Sequence, residues 1–182
     1  MIELDLPKIK SLLSTNYFVL FKLDAIFDID QNILYNKYLN LQKQFHPDNF
    51  INTTKELKLL VISLSAHINS GYTTLKNPLS RALLLLELNG INLNLSSDTA
   101  LPSSFLLEQM ELHEAIDDAK STKNVFLLEN IQLQLKEKEF LLINKINKLF
   151  NQGDLLEIKE LIKKLTFYDR LNDTILLAFE HI

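Results

Sequence analysis

Residues that break helices are scarce in this chain, and where they stand limits what it can fold into. There are 3 Gly and 4 Pro in 182 residues. Between them run long stretches rich in Leu, Ile, Lys and Glu. Leu, Lys and Glu lose little side-chain freedom in a helix. The Val, Thr and Tyr runs expected of a sheet are missing. The expected fold class is all-α, with helices joined by short connections.

Periodicity places the helices. From Asp30 to Phe45, apolar side chains recur at Leu34, Tyr38, Leu41 and Phe45, on one helical face. His46-Pro47-Asp48-Asn49-Phe50 then interrupts the pattern. Pro47 fixes its own φ and disfavours helical geometry in His46, so the helix should stop there. A second helix is expected from near Thr53, because Thr53 and Glu56 have capping-box spacing. Leu57, Val61, Leu64, Ile68, Gly71 and Leu75 follow at heptad spacing. The two stripes can face each other, giving an antiparallel hairpin with the proline turn at its tip. Gly71 inside the helix costs roughly 1 kcal/mol relative to Ala, and a close helix crossing is the expected reason for it. Asn77-Pro78 ends this helix.

Leu79 to Leu88 predicts a short connecting helix closed by Asn89-Gly90. Ile91 to Ser104 is loop-like and marks a domain boundary. Three more helices follow, at about Ser104–Lys120, at about Lys123–Asn151 and from Asp154 onward. The second carries Leu128, Ile131, Leu135, Leu142, Ile146 and Leu149, and Gly153 closes it. The third starts on Asp154 and Glu157, which resemble a capping box, and carries Leu161, Leu165, Tyr168, Ile175 and Phe179. Short turns between amphipathic helices predict an antiparallel three-helix bundle. The expected organisation is an extension over 1–15, a first domain over 16–78, a connecting helix and linker over 79–101, and a three-helix domain over 102–182.

Composition excludes several function classes. With no Cys, neither a disulfide nor a thiolate metal site can form. His46, His67, His113 and His181 lie far apart, without ligand spacing, so no metal is expected. A formal net charge of -4 argues against general nucleic-acid binding, which needs a concentrated basic face. The longest apolar stretch, Ala82 to Leu88, is interrupted by Glu87 and is too short to span a bilayer. Met1 to Phe18 reads neither as a secretory signal nor as a transit peptide. A soluble cytoplasmic protein without a cofactor is expected.

The tripeptide His46-Pro47-Asp48 is the most informative local feature. Pro47 restricts the backbone, so less entropy is lost when the turn docks. Asp48 offers a carboxylate to a partner's Arg or backbone donors. His46 is a donor whose direction the loop controls. No nucleophile or second base stands nearby, so binding fits better than catalysis, and a hydrolase built on His46 and Asp48 is disfavoured. A solvated helix-breaking turn is the competing reading.

A second surface follows from the helix after the boundary. Residues advance roughly 100° each around a helix. Centred on Leu112, the residues Phe105, Ile116 and Ala119 fall within about 40° and define the core stripe. Leu106, Leu107 and Met110 lie about 120–160° away, with Glu111, Glu114, Asp117 and Asp118 on the same side. Large apolar side chains rimmed by carboxylates and turned from the core suit a partner site. The competing reading packs Leu106 and Leu107 under the 91–101 loop or against the first domain. Glu111, His113 and Glu114 are not all on one side of the helix, which disfavours a metal site.

These features together resemble a known family. Asn16-Tyr17-Phe18-Val19-Leu20-Phe21 looks like the opening of a J domain, and the helix, His-Pro-Asp turn and helix complete it. The run from His67 to Ala82, with Asn69, Tyr72, Leu75, Pro78 and Arg81 in order, is similar to the longer signature of the HscB branch. Phe105 to Glu114 resembles that branch's client-binding helix. The resemblance covers nearly the whole chain from Asn16. It implies a non-enzymatic co-chaperone. Its J domain, through His46, Pro47 and Asp48 with Lys37 and Lys43, would stimulate an HscA- or DnaK-type ATPase chaperone. Its C-terminal bundle would hold an IscU-type iron–sulfur scaffold through Leu106, Leu107, Met110, Glu111, Glu114, Asp118 and Phe167.

The chain departs from the J-domain pattern in places. Asn49 stands where Lys or Arg usually follows the tripeptide. The preceding helix, usually strongly basic, offers mainly Lys37 and Lys43, so electrostatic steering is expected to be weaker. The Cys-containing extension of some eukaryotic relatives is missing, which favours a bacterial protein. A J-domain protein with another client, or a structural helical interaction protein, stays open as an alternative.

Overall fold

A computed structural model describes residues 6–93 and 101–181, the last without its side chain. Among the described residues it contains helices and turns and no strand. The chain divides into two compact units, with the division between Leu85 and Leu86. The first holds the helix hairpin, and the second contains a three-helix bundle.

In the first unit, α1 (Leu6–Ser14) buries Ile9 and packs against α4 (Lys55–Lys76). This stretch was expected to be an extension. From Leu6 onward it is part of the unit, because Ile9 and half-buried neighbours form an apolar face too short to stand out by periodicity. The short helix α2 (Tyr17–Leu20) is capped by the Asn16 side chain, which accepts from the Val19 N–H at 3.0 Å. Its Phe18 and Leu20, with Phe21 after it, are buried.

The expected hairpin is present. Helix α3 (Gln31–Gln44) starts at Asp30, whose carboxylate accepts from the Asn32 and Ile33 N–H groups. It packs on α4, whose stripe Val61, Leu64, Ile68, Gly71 and Leu75 is buried. The N-cap of α4 is Thr54, one residue later than expected. Thr53 is occupied in the preceding turn, where its hydroxyl donates to the Phe50 carbonyl at 2.7 Å. Glu56 makes an ion pair with Lys10 of α1 at 3.4 Å.

Gly71 sits where α2 crosses α4. A Cβ built there would lie 2.8 Å from Tyr17 Cδ1 and 2.9 Å from Phe21 Cε2. The close crossing inferred from the sequence is thus made by two aromatic rings.

Asn77 ends α4 and starts α5 (Pro78–Leu88). Its backbone is extended, and its side-chain oxygen accepts from the Ser80 N–H at 2.9 Å. Pro78 takes the first helical position, where a missing N–H costs nothing. Arg81 is buried, donates from Nη1 to the Leu75 carbonyl at 2.5 Å and stacks over the Phe27 ring. Burial lowers its pKa, and nearby Asp28 acts in the opposite direction. One carbonyl at the end of α4 therefore gets its partner from a side chain six residues on. Gly90, at φ 76°, closes α5.

The second unit contains α6 (Ser103–Ser121), α7 (Val125–Gln152) and α8 (Leu155–His181). Their facing stripes form one core around Phe105, Ile116, Leu128, Leu135, Tyr168 and Ile175. Helix α7 begins two residues later than expected. Lys123 has φ 51°, outside the right-handed helical region, and Asn124 is the cap, accepting from the Leu127 N–H. Gly153, at φ 77°, closes it. The Asp154 carboxylate accepts from the Glu157 N–H at 3.4 Å as expected, but the Glu157 side chain pairs with Lys145 of α7 rather than completing a capping box. The expected boundary loop is described only as far as Leu93, and residues 94–100 lie outside the described part.

Candidate functional site

Two surfaces were singled out from the sequence, one in each unit. The first is the turn between α3 and α4. Pro47 opens a 3-10 turn, Pro47–Phe50, with His46 as its cap. Phe45 and Phe50 are buried on either side, at 2% and 7% exposure, and hold both ends of the turn to the hairpin. Between them, the side chains of His46 and Asp48 are 55% and 79% exposed, and Pro47 is half-buried. Anchors inside and polar groups outside are the arrangement a docking turn needs.

The turn is also internally ordered. His46 Nδ1 accepts from the Asp48 backbone N–H at 3.3 Å and lies 3.7 Å from the Asp48 carboxylate. In the neutral ring, an accepting Nδ1 leaves the proton on Nε2, which gives the turn an outward donor beside an exposed carboxylate. Asn49, the departure from the family pattern, has local work. Its Nδ2 donates to the Lys43 carbonyl at 2.9 Å, satisfying a free acceptor in the last turn of α3. No local signal marks this contact, because Asn after a turn reads as merely polar.

The two lysines placed at this surface differ. The Lys43 side chain is exposed and has no ion-pair partner among the described residues. Lys37 is half-buried and donates its ammonium to the Lys22 carbonyl, where the backbone turns through φ 50°. It lines a small hollow with Leu20, Phe21, Asn40, Leu41 and Gln44. Its ammonium is held by that carbonyl, whereas the Lys43 ammonium has no such tether among the described contacts.

The second surface is the outer face of α6. Phe105, Leu112, Ile116 and Ala119 are buried, as the helical wheel requires. Leu106, Leu107 and Met110 are 48%, 58% and 60% exposed. The competing expectation, that the 91–101 loop or the first domain covers Leu106 and Leu107, falls largely on residues 94–100, outside the described part. Glu111, Glu114 and Asp118 are exposed, and none of the three is in an ion pair among the described residues. Asp117, on the same side, is paired with Lys120 at 3.5 Å. Gln109 and His113, which the sequence reading left out of the site, line a shallow groove with Leu106, Met110 and Glu114. No cluster of metal-binding side chains occurs among the described residues.

Phe167 from α8 stands at the edge of this face. It is half-buried, with its ring edge-on to Phe105 at 5.5 Å and to His113 at 5.8 Å. Beneath it a polar node joins all three helices. Glu108 of α6 accepts from Lys138 of α7 and, at 2.8 Å, from the Tyr168 hydroxyl of α8. Burial pushes the Glu108 carboxyl up, but Lys138 and Tyr168 outweigh it and hold the pKa below its ordinary value. Burial and the Glu108 charge raise the Tyr168 hydroxyl. The node ties α6 to both α7 and α8.

Residues 101–176 match the family described as the HSCB C-terminal oligomerisation domain. The chain is 38% identical over 162 residues to a co-chaperone protein HscB homolog of Shewanella frigidimarina, covering 87% of this chain and 93% of that protein. The structure is similar to chaperone HscB from Vibrio cholerae, with TM-score 0.81 and 31% identity over 91% of this chain and 98% of the other. It is also similar to human co-chaperone protein HscB, with TM-score 0.85 and 30% identity over 91% of this chain and 83% of that one. No described helix is long and apolar enough to cross a membrane. Related along most of its length to these proteins and sharing their fold, the chain belongs to the HscB family of co-chaperones.

Proposed function

We propose that this co-chaperone stimulates ATP hydrolysis by an HscA- or DnaK-type chaperone and delivers an IscU-type iron–sulfur scaffold to it. The observation that carries the reading is the anchored turn with His46 and Asp48 turned outward. A turn already held by Phe45, Phe50 and Asn49 loses little conformational freedom when it docks. Asp48 would accept from a partner's Arg or backbone donors, and His46 would donate from Nε2. Lys43 adds attraction toward an acidic surface, and Lys37 contributes less.

The scaffold would sit on the outer face of α6. Leu106, Leu107 and Met110 would lose their exposed area to it, with Phe167 at the edge. Glu111, Glu114 and Asp118 would meet basic groups on the client. With the two surfaces on different units, hydrolysis and client capture coincide only when one molecule engages both partners. The protein performs no chemistry itself in this scheme; it activates a chaperone ATPase.

ATP turnover by the purified chaperone, with and without the scaffold, tests this. His46→Gln should remove stimulation and leave scaffold binding intact. Combined Leu107→Ala and Met110→Ala should do the reverse. If both variants keep their fold and each loses both activities, the two-surface scheme fails.

A further inference from the structure

A small concavity lies at the corner between α2 and α3. Lys22 closes α2 there at φ 50°, and the Leu23 N–H donates across it to the Phe18 carbonyl at 2.8 Å. Such a left-handed closure usually falls to glycine. Gly90 and Gly153 take it elsewhere in the chain, at φ 76° and 77°. A lysine in this position is strained, and it brings an ammonium. Lys123 follows α6 in the same conformation, so strain alone marks no site. Lys22 differs in lining a hollow together with a second cation.

The hollow measures about 220 Å³. Its apolar residues are Leu20, Phe21 and Leu41, and its polar ones are Lys22, Lys37, Asn40 and Gln44, with no carboxylate among them. Leu20 and Phe21 are buried, which fixes the apolar wall. Lys22 is exposed and in no ion pair among the described residues. Lys37 gives one donor to the Lys22 carbonyl, and an ammonium has three. Asn40 and Gln44 stand one turn apart on α3, and their side chains make no hydrogen bond among the described residues.

These features specify a ligand. Two cations without an anion call for a carboxylate. An apolar wall in the same concavity calls for an apolar group close to that carboxylate. The volume is below the roughly 300–1,000 Å³ of sites for drug-sized molecules, so the hollow admits one residue. In a peptide, only the C-terminal residue carries a backbone carboxylate and its side chain on one carbon. An Asp or Glu within a chain has its apolar neighbour on a separate residue. The free amides of Asn40 and Gln44 suit the backbone N–H and C=O groups that lead to a terminal residue.

We propose that the corner between α2 and α3 captures the C-terminal carboxylate of a partner polypeptide that ends in a branched apolar residue. Lys22 and Lys37 hold the carboxylate, and the terminal side chain lies against Leu20, Phe21 and Leu41.

Titration of the full chain with the peptide acetyl-Ala-Ala-Leu, followed by amide NMR shifts, tests this. The expected result is a saturable shift at Lys22, Lys37, Asn40 and Gln44. The same peptide ending in a carboxamide should bind about tenfold more weakly, because it brings no charge to the two ammonium groups. N-acetyl-leucine has the carboxylate and side chain but leaves Asn40 and Gln44 unmet, and it should also bind about tenfold more weakly than the peptide acid. Lys22→Gly removes one ammonium and relieves the backbone. It should weaken the peptide acid about tenfold while the urea midpoint stays equal or rises, since glycine adopts this conformation freely. No saturable shift with the peptide acid, equal binding of acid and carboxamide, equal binding of N-acetyl-leucine, or full affinity in Lys22→Gly would overturn the proposal.

Discussion

Gly71→Ala sets two known effects against each other. Alanine in a helix interior is favoured over glycine by about 1 kcal/mol. Overpacking a core costs about 1–3 kcal/mol. The geometry at Gly71 decides the balance. The added Cβ would sit 2.8 Å from Tyr17 Cδ1, 2.9 Å from Phe21 Cε2 and 3.2 Å from Tyr17 Cγ. These are atoms of rigid rings rather than ends of flexible chains, and Phe21, at 1% exposure, has no free space to swing into. The clash belongs at the upper end of the range, which leaves a net loss of about 1–2 kcal/mol. With a urea slope of about 1 kcal/mol/M for a small unit, the midpoint should fall by about 1–2 M.

Tyrosine fluorescence is a suitable probe for this unfolding. The chain has no Trp, and Tyr17, Tyr35, Tyr38 and Tyr72 lie in the first unit, with Tyr168 alone in the second. Adding Phe21→Leu to Gly71→Ala should recover part of the loss, a coupling that a clash predicts and a propensity effect does not. An unchanged or raised midpoint for Gly71→Ala would refute the reasoning.

Two further outcomes follow from the polar contacts. Glu108 has a lowered pKa when folded, so it stabilises above the ordinary carboxylate range and loses that contribution as pH falls through the lowered value. Glu108→Gln should cost about 1 kcal/mol at neutral pH, since Lys138 is partly exposed and its share is screened; pH-dependent urea melts of the second unit should show this gap closing in acid. Arg81→Met removes the donor to the Leu75 carbonyl and should cost about 1–3 kcal/mol, read in the same tyrosine melts of the first unit; an equal midpoint would show that water replaces the guanidinium.

How much was legible in the sequence depends on the range over which each feature acts. The hairpin, its tip and the three later helices follow from repeats of three, four and seven residues, and breaks at Pro47, Pro78, Gly90 and Gly153 punctuate them. The outward direction of Leu106, Leu107 and Met110 came from the same helical geometry. Caps were less secure. Thr53 and Thr54 are equivalent by spacing, and only the Phe50 carbonyl shows which hydroxyl is already engaged. Lys123 gave no sign of its left-handed backbone, because lysine rarely adopts it.

The sequence by itself determined which segments are helical, where they stop and which polar turn stands at the hairpin tip, because those depend on neighbours along the chain. Only the tertiary structure decided which rings press on Gly71, that Arg81 serves a buried carbonyl and that the Lys37 ammonium donates to the Lys22 carbonyl. The node of Glu108, Lys138 and Tyr168 belongs with these, since its members are 30 and 60 residues apart. Such contacts form where separate helices meet, and no local period records which charged side chain will find which partner.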